Sequence, residues 1–62
     1  MQELAINYCS TLLNVEDDNT LEVCYVMACN AFKDYTKRED IPETAISIIC
    51  ELMCIEYNRI GA

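Results

Sequence analysis

The residues of this chain best suited to chemistry are its five cysteines, because thiolates bind metals, attack electrophiles and form disulfides. They are Cys9, Cys24, Cys29, Cys50 and Cys54. Cys50 and Cys54 are four residues apart, as two ligands on one helix face would be, but the chain has no Cys-x-x-Cys pair and no histidine. The number of cysteines is odd, and each lies in an apolar helical pattern. We therefore expect reduced, buried thiols that pack as small hydrophobic side chains, with a metal or disulfide role as the less favoured alternative.

The carboxylates offer a second candidate for chemistry in the acidic run Glu16, Asp17 and Asp18. A calcium loop of the EF-hand type is not predicted there, because its ligand spacing and central glycine are missing. The chain also contains no nucleophile elbow, phosphate-binding loop or dinucleotide fingerprint. A catalytic cysteine would need an activating partner, and histidine is not available for that role. The sequence therefore predicts a protein that is not an enzyme and has no cofactor.

Size and charge limit the classes of partner. The chain has 62 residues and a net charge of −7, with eleven acidic and four basic residues. This charge opposes binding to nucleic acid phosphates and to anionic membranes, and the apolar runs are too short to span a bilayer. The hydrophobic content is 53%, which is high for a chain with so little interior. That excess predicts association with other protein surfaces.

The spacing of apolar residues predicts helices throughout, because they recur at intervals of three and four and the only glycine is Gly61. We predict a single all-α domain, a small bundle of three helices at about residues 2–13, 20–35 and 41–60. The first helix is amphipathic, with one face that we expect to be buried. That face comprises Leu4, Ala5, Ile6, Tyr8, Cys9, Leu12 and Leu13.

Two capping boxes are predicted at the helix starts. Asn19 is the expected N-cap of the second helix, with Glu22 three residues later. Asp40 is the expected N-cap of the third helix, with Glu43 at the corresponding position and Pro42 in the first turn.

The second and third helices each carry more apolar surface than one core requires. The surplus on the second helix is Val23, Val26 and Met27, and on the third it is Ile48, Leu52 and Ile55. A helix that is apolar on two sides must be covered on two sides. We expect another molecule to cover the second side; the alternative is that the first helix wraps far enough to bury both arcs of the third.

Three stretches of the sequence, in this order, resemble the phage head-tail connector proteins. The first, YCSTLLNVEDDNTLEVCYVMACNAF, is similar to the first two helices of that family and the acidic loop between them. The second, DYTKREDIP, resembles the family's tyrosine, threonine and basic corner before a proline. The third, AISIICELMCIEYNRIGA, resembles its last helix, and together the stretches cover nearly the whole chain.

The resemblance implies a structural protein of a phage or prophage. Connectors of this kind form a ring at the portal vertex and link the DNA-filled head to the tail. The implied partners are other copies of the chain, the portal protein and a tail or stopper protein, at the head-tail junction of a virion assembled in the bacterial cytoplasm. DNA would pass through the ring without sequence-specific recognition, and no membrane is involved. The family usually continues beyond this glycine, so the resemblance implies either a chain shortened at its C-terminus or a minimal member.

The resemblance also points to residues that take part in assembly and not in catalysis. The candidates at the corner are Tyr35, Thr36, Arg38, Ile41 and Pro42. The candidates that match the family at the end of the third helix are Tyr57, Asn58, Arg59 and Gly61. A purely structural role is the alternative for each. Tyrosines at the edge of the core keep their hydroxyls in water, and Arg38 and Arg59 have Asp34, Asp40 and Glu56 as local partners.

A ring needs two different adhesive faces on each subunit, because its contacts are head to tail. The surplus faces of the second and third helices are the candidates for this pair. Two other functions stay open from the residues: a small helical interaction domain that dimerises and presents a groove to a peptide, and a cysteine-based metal or redox protein.

Overall fold

Three α-helices and one 3-10 turn form the part of the chain that the structure describes. The structure is a computed structural model and describes residues 1–60. Its helices are α1 at Gln2–Leu13, α2 at Asp18–Thr36 and α3 at Ile46–Ile60, and the 3-10 turn at Glu43–Ala45 leads into α3. No strand occurs within residues 1–60. The predicted small all-α bundle of three helices is therefore confirmed.

Asn14 ends α1 by adopting the left-handed conformation, with φ 55° and ψ 50°. Its N–H donates to the carbonyl of Thr11, and the N–H of Val15 donates to the carbonyl of Ser10 at 3.1 Å. These two bonds form a Schellman motif, which asparagine tolerates better than most residues with a side chain. The motif turns the chain so that Val15 packs against the core. The end of α1 is thus defined by both backbone geometry and packing.

The N-cap of α2 is Asp17 and not Asn19, so the predicted cap lies two residues too late. Asp17 Oδ1 accepts the backbone N–H of Thr20 at 3.2 Å, and the Thr20 hydroxyl donates to Asp17 Oδ2 at 2.5 Å. These bonds hold the pKa of the Asp17 carboxyl below its ordinary value of 3.8. Asn19 instead lies in the first turn of α2 and is exposed.

We expect Asp17→Ala to lower the melting temperature by several degrees, because it removes the only side-chain acceptor at this helix start. The matched Asn19→Ala change should leave the melting temperature within error. The ionised carboxylate accepts these bonds more strongly than the protonated acid, so the added stabilisation is present above pH 3.8 and is lost as the pH falls through the lowered pKa. Thermal melts followed by circular dichroism at neutral and acidic pH test both statements. Equal effects of the two substitutions would contradict this cap.

The third helix starts later than predicted, and Asp40 does not cap it. Pro42 is extended, with φ −67° and ψ 149°, and accepts the N–H of Ala45 at 3.0 Å to open the 3-10 turn. Proline disfavours helical geometry in the residue before it, so Ile41 cannot begin a helix. No side chain caps this turn, and Glu43 makes no reciprocal bond there. The capping box predicted for Asp40 and Glu43 is therefore wrong.

The core lies between the three helices, with α2 and α3 packed most extensively and α1 lying against both. Its members are Ala5, Ile6, Cys9, Leu21, Cys24, Ala28, Cys29, Phe32, Ala45, Ile49, Cys50, Met53 and Tyr57. Seven of these thirteen are alanine or cysteine. Small side chains let the helix axes approach closely, so four of the cysteines have a packing role.

Candidate interaction surface

The surplus apolar face of α2 is exposed, as predicted from the spacing of its residues. Val23 and Val26 keep 54% and 56% of their surface accessible, and Met27 is half-buried. The buried side of the helix carries Leu21 and Ala28, which lie in the core. We call Val23, Val26 and Met27 the α2 face. Nothing within residues 1–60 covers its two valines.

The surplus face of α3 is exposed only in part. Ile48 and Ile55 keep 48% and 57% of their surface accessible, but Leu52 is half-buried and packs against the core. We call Ile48 and Ile55 the α3 face. Since both isoleucines stay exposed, the alternative in which the first helix buries both arcs of α3 is wrong. Leu52 belongs to the edge of the core and not to the α3 face.

The corner after α2 contains one local ion pair, between Arg38 and Asp40. Lys37 is left-handed, with φ 60°, and the Thr36 hydroxyl donates to the Phe32 carbonyl at 2.8 Å. Arg38 Nη2 lies 3.2 Å from Asp40 Oδ2, and both side chains are at least half exposed. Such an exposed pair contributes little stability. Tyr35 is 91% exposed, so the interpretation of this tyrosine as a core-edge residue is wrong.

The remaining corner and assembly candidates are divided between the core edge and the surface. Ile41 is half-buried against the core, Pro42 directs the chain into the 3-10 turn, and Tyr57 is a core residue. Arg59 Nη1 donates to Glu56 Oε1 at 3.3 Å. Structural contacts thus account for these four residues. Gly61, also matched to the family, lies outside the described residues.

Part of the α1 face that the sequence predicts to be buried is exposed in the structure. Leu4, Tyr8 and Leu12 follow one another at intervals of four along α1 and keep 58–65% of their surface accessible. We call these three residues the α1 stripe. The buried side of α1 uses Ala5, Ile6 and Cys9 instead. The sequence contains a signal for this exposure in the width of the apolar arc of α1. The stripe lies at one edge of that arc, and the small residues Ala5 and Cys9 lie at its centre.

A groove runs between α1 and α3 beside this stripe. Its volume is about 440 Å³, and its lining residues are Tyr8, Leu12, Ser47, Cys50, Glu51, Cys54 and Ile55. Tyr8 and Leu12 come from α1 and the other five residues from α3. Among them only Glu51 is charged. We call this feature the α1–α3 groove.

Three thiols meet beneath the groove where α1 packs on α3. Cys9 Sγ lies 3.6 Å from the carbonyl oxygen of Cys50 and 3.9 Å from Met53 Sδ. Burial raises the pKa of the Cys9 thiol to about 12, and the neighbouring Cys54 and Cys50 act in the same direction. Burial also raises the pKa values of Cys24 and Cys50. A thiol with a raised pKa is mostly protonated and therefore a poor nucleophile near neutral pH.

All five cysteines are free thiols in the structure. Within residues 1–60, no group of three or more cysteine, aspartate or glutamate side chains is arranged to hold a metal ion. None of the helices in this range has the length and apolar character needed to cross a lipid bilayer.

One carboxylate is buried in part. Glu56 Oε1 accepts from Arg59, while its Oε2 is buried without a hydrogen-bond partner among the described residues. The charge of Glu56 adds to burial in raising the pKa of Cys24. A buried oxygen without a hydrogen-bond partner opposes folding, so the burial of Glu56 Oε2 reduces the stability of the bundle.

The surfaces described above are apolar, exposed and divided among three helices, which is typical of proteins that bind other proteins. Compared with protein-family models, with curated proteins and with solved structures, the chain has no significant match. The likeness to head-tail connectors therefore depends on the three sequence stretches alone.

Proposed function

We propose that this protein is a non-catalytic structural subunit that assembles head to tail with copies of itself, as a phage head-tail connector at the portal vertex. The observation that carries the proposal is the exposure of two separate apolar faces on different helices. A head-to-tail contact joins two unlike faces, so a subunit needs both of them to continue a ring. The finer connector role is supported by the resemblance of the three sequence stretches.

Charge next to the two faces is compatible with self-assembly. Lys33 lies seven residues after Val26 and Arg59 four residues after Ile55, so each face has a cation on the same side of its helix. Exposed acids are available around both faces, and contact between unlike faces can bring opposite charges together. The net charge of −7 suits a ring through which DNA slides, because acidic walls repel phosphates.

The test uses one charge substitution on each face. We expect Val26→Glu on the α2 face and Ile48→Glu on the α3 face each to abolish self-assembly in sedimentation velocity, because a carboxylate cannot be buried there without a partner. Mixing the two variants should restore a heterodimer and nothing larger. Each partner in that pair still has one intact face, and the two intact faces are unlike.

The mixing result separates a head-to-tail contact from a two-fold one. In a dimer built from two copies of the same face, one of the two variants would dimerise normally and mixing would add nothing. That outcome supports the helical interaction domain instead. Leu52→Glu is a poor probe, since Leu52 packs against the core and its substitution would unfold the subunit. A wild-type chain that stays monomeric at all concentrations contradicts assembly without the portal.

The connector role has a separate test in the neighbouring genes. A portal gene and capsid genes beside the gene for this chain would support it, and capture of the chain by that portal protein would supply the partner. A neighbourhood without phage genes would contradict the connector role and leave the assembly proposal to the mixing test.

A further inference from the structure

Cys54 differs from the other four cysteines in its exposure. It is half-buried and lines the α1–α3 groove, whereas the other four, including Cys50 beneath the groove, are buried. A small molecule in solution can therefore reach Cys54 in the folded subunit, but it can reach the buried thiols only when the bundle opens. The contacts proposed for the ring do not use this thiol.

The contact between α1 and α3 places Cys9 next to Cys54. Cys9 Sγ lies 3.6 Å from the carbonyl oxygen of Cys50. In an α-helix that carbonyl accepts the N–H of the residue four positions later, which is Cys54. Cys9 Sγ therefore lies over the turn of α3 that runs from Cys50 to Cys54. The raised pKa of the Cys9 thiol reflects the same arrangement, since burial is its main cause and the Cys54 thiol the next, ahead of Cys50.

Helix geometry opposes a disulfide within α3. Cys50 and Cys54 are four residues apart on one helix, so their Cβ atoms lie about 5–6 Å apart. A disulfide needs a Cβ separation of about 3.5–4.5 Å, and a bond between these two would require α3 to unwind. The thiol best placed to pair with Cys54 is therefore on the facing helix, at Cys9.

We propose that Cys54 is a modification site for small-molecule disulfides and that Cys9 completes the reaction by forming a disulfide between α1 and α3. In the first step the Cys54 thiolate attacks one sulfur of the reagent, which forms a mixed disulfide and releases one reagent thiol. In the second step the Cys9 thiolate attacks the sulfur of Cys54 and releases the other reagent thiol. Two protein thiols lose two electrons and two protons, and the reagent disulfide gains them as two thiols.

The product ties the first helix to the third. A crosslink between positions far apart in the chain stabilises the folded state chiefly by restricting the unfolded chain. The oxidised subunit should therefore melt about ten degrees or more above the reduced one. The stability of the bundle thus depends on the thiol redox state of its surroundings, independently of ring formation.

The test uses an aromatic disulfide reagent whose released thiol is coloured, with the full chain at a concentration at which it is monomeric. We expect rapid release of one equivalent of coloured thiol, followed by slower release of one more. The second release should be first order and independent of protein concentration, because both protein thiols belong to the same subunit. It should become about tenfold faster per pH unit from about pH 7 to pH 9, since the thiolate fraction of Cys9 grows in that proportion below its raised pKa.

Substitutions separate the two steps. Cys54→Ser should abolish both releases in the folded protein, whereas Cys9→Ala should keep the first and abolish the second. The matched Cys50→Ala change removes the other thiol at the same contact and should keep both releases. Circular dichroism checks that each variant is folded.

Fragment masses identify the crosslink in the wild-type protein directly. Cleavage after Glu51 separates Cys50 from Cys54, and cleavage after Glu16 releases a fragment in which Cys9 is the only cysteine. Without reduction, the fragments that carry Cys9 and Cys54 should remain joined. This measurement does not need any variant to fold.

Four results would overturn the proposal. Release that stops at one equivalent, with Cys9 still free, would show that the two thiols do not meet. A crosslink to Cys50 would assign the second step to the wrong thiol, and a second release that speeds up with protein concentration would assign Cys54 to a bond between subunits. Release of all five thiols at one rate would show that unfolding limits the reaction. The ring test is separate, since its variants Val26→Glu and Ile48→Glu keep all five cysteines.

Discussion

Ile49→Ala should lower the free energy of unfolding by about 3 kcal/mol, which is among the largest losses expected for a single substitution in this chain. Ile49 has no accessible surface and lies on α3 within the core. Its truncation removes buried methyl groups and leaves a cavity that the surrounding helices cannot fill completely. A domain of this size has a total stability of about 3–9 kcal/mol, so the substitution should remove between about a third and all of it. Urea unfolding followed by circular dichroism measures the loss.

The neighbouring residue supplies the control. Ile48→Ala makes the same chemical change on the same helix, but Ile48 is 48% exposed. We expect an effect below about 1 kcal/mol in the isolated subunit, because alanine has the higher helix propensity and little burial is lost. Equal losses from the two substitutions would show that α3 is rotated about its axis. A loss of self-association in Ile48→Ala without a loss of stability would support the α3 face.

Above pH 9 the protein should lose stability steeply, and this is the second large effect. The Cys9 thiol has its pKa raised by burial from 9.0 to about 12 in the folded chain. Between these values the unfolded chain releases the thiol proton and the folded chain keeps it, so rising pH favours unfolding. Each thiol held protonated in this way contributes a slope of about 1.4 kcal/mol per pH unit. Cys24 and Cys50 change in the same direction and should add to the slope.

A Cys9→Ala variant isolates the contribution of this thiol. Its free energy of unfolding should be lower than that of the wild type near neutral pH, and the difference should shrink as the pH rises above 9. The other titratable groups are common to both proteins and cancel in the comparison. The measurement is a series of urea unfolding curves with the thiols kept reduced. Parallel pH profiles would show that Cys9 ionises as easily in the folded protein as in the unfolded one.

The helices themselves were predictable from the sequence, because apolar spacing is a property of the chain alone. The bounds predicted for α1 match the structure, and those of α2 agree to within two residues. The packing role of the cysteines was also predictable from their positions in apolar patterns. The two valines of the α2 face and two of the three residues of the α3 arc are exposed as expected, whereas Met27 and Leu52 are half-buried. In each case a residue's place on its helix decided its environment.

The caps could not be predicted, because several residues near each helix start can accept the same hydrogen bond. Asp17, Asp18 and Asn19 are all good caps, and only the path of the backbone after Asn14 determines that Asp17 takes the role. At α3 the effect of Pro42 on Ile41 outweighed the capping preference of Asp40. The exposure of the α1 stripe was missed for another reason: how much of α1 is covered depends on where α2 and α3 lie.

The small thiols of the core have a further consequence for observing the motions of the bundle. Cys9 on α1 and Cys24 on α2 have no accessible surface, and Cys50 on α3 has very little. An alkylating reagent can therefore reach each of them only after its helix has separated from the others. Rates of modification, read residue by residue, report how often each helix opens. The chain thus carries its own reporters of local unfolding, one in each helix, without any added label.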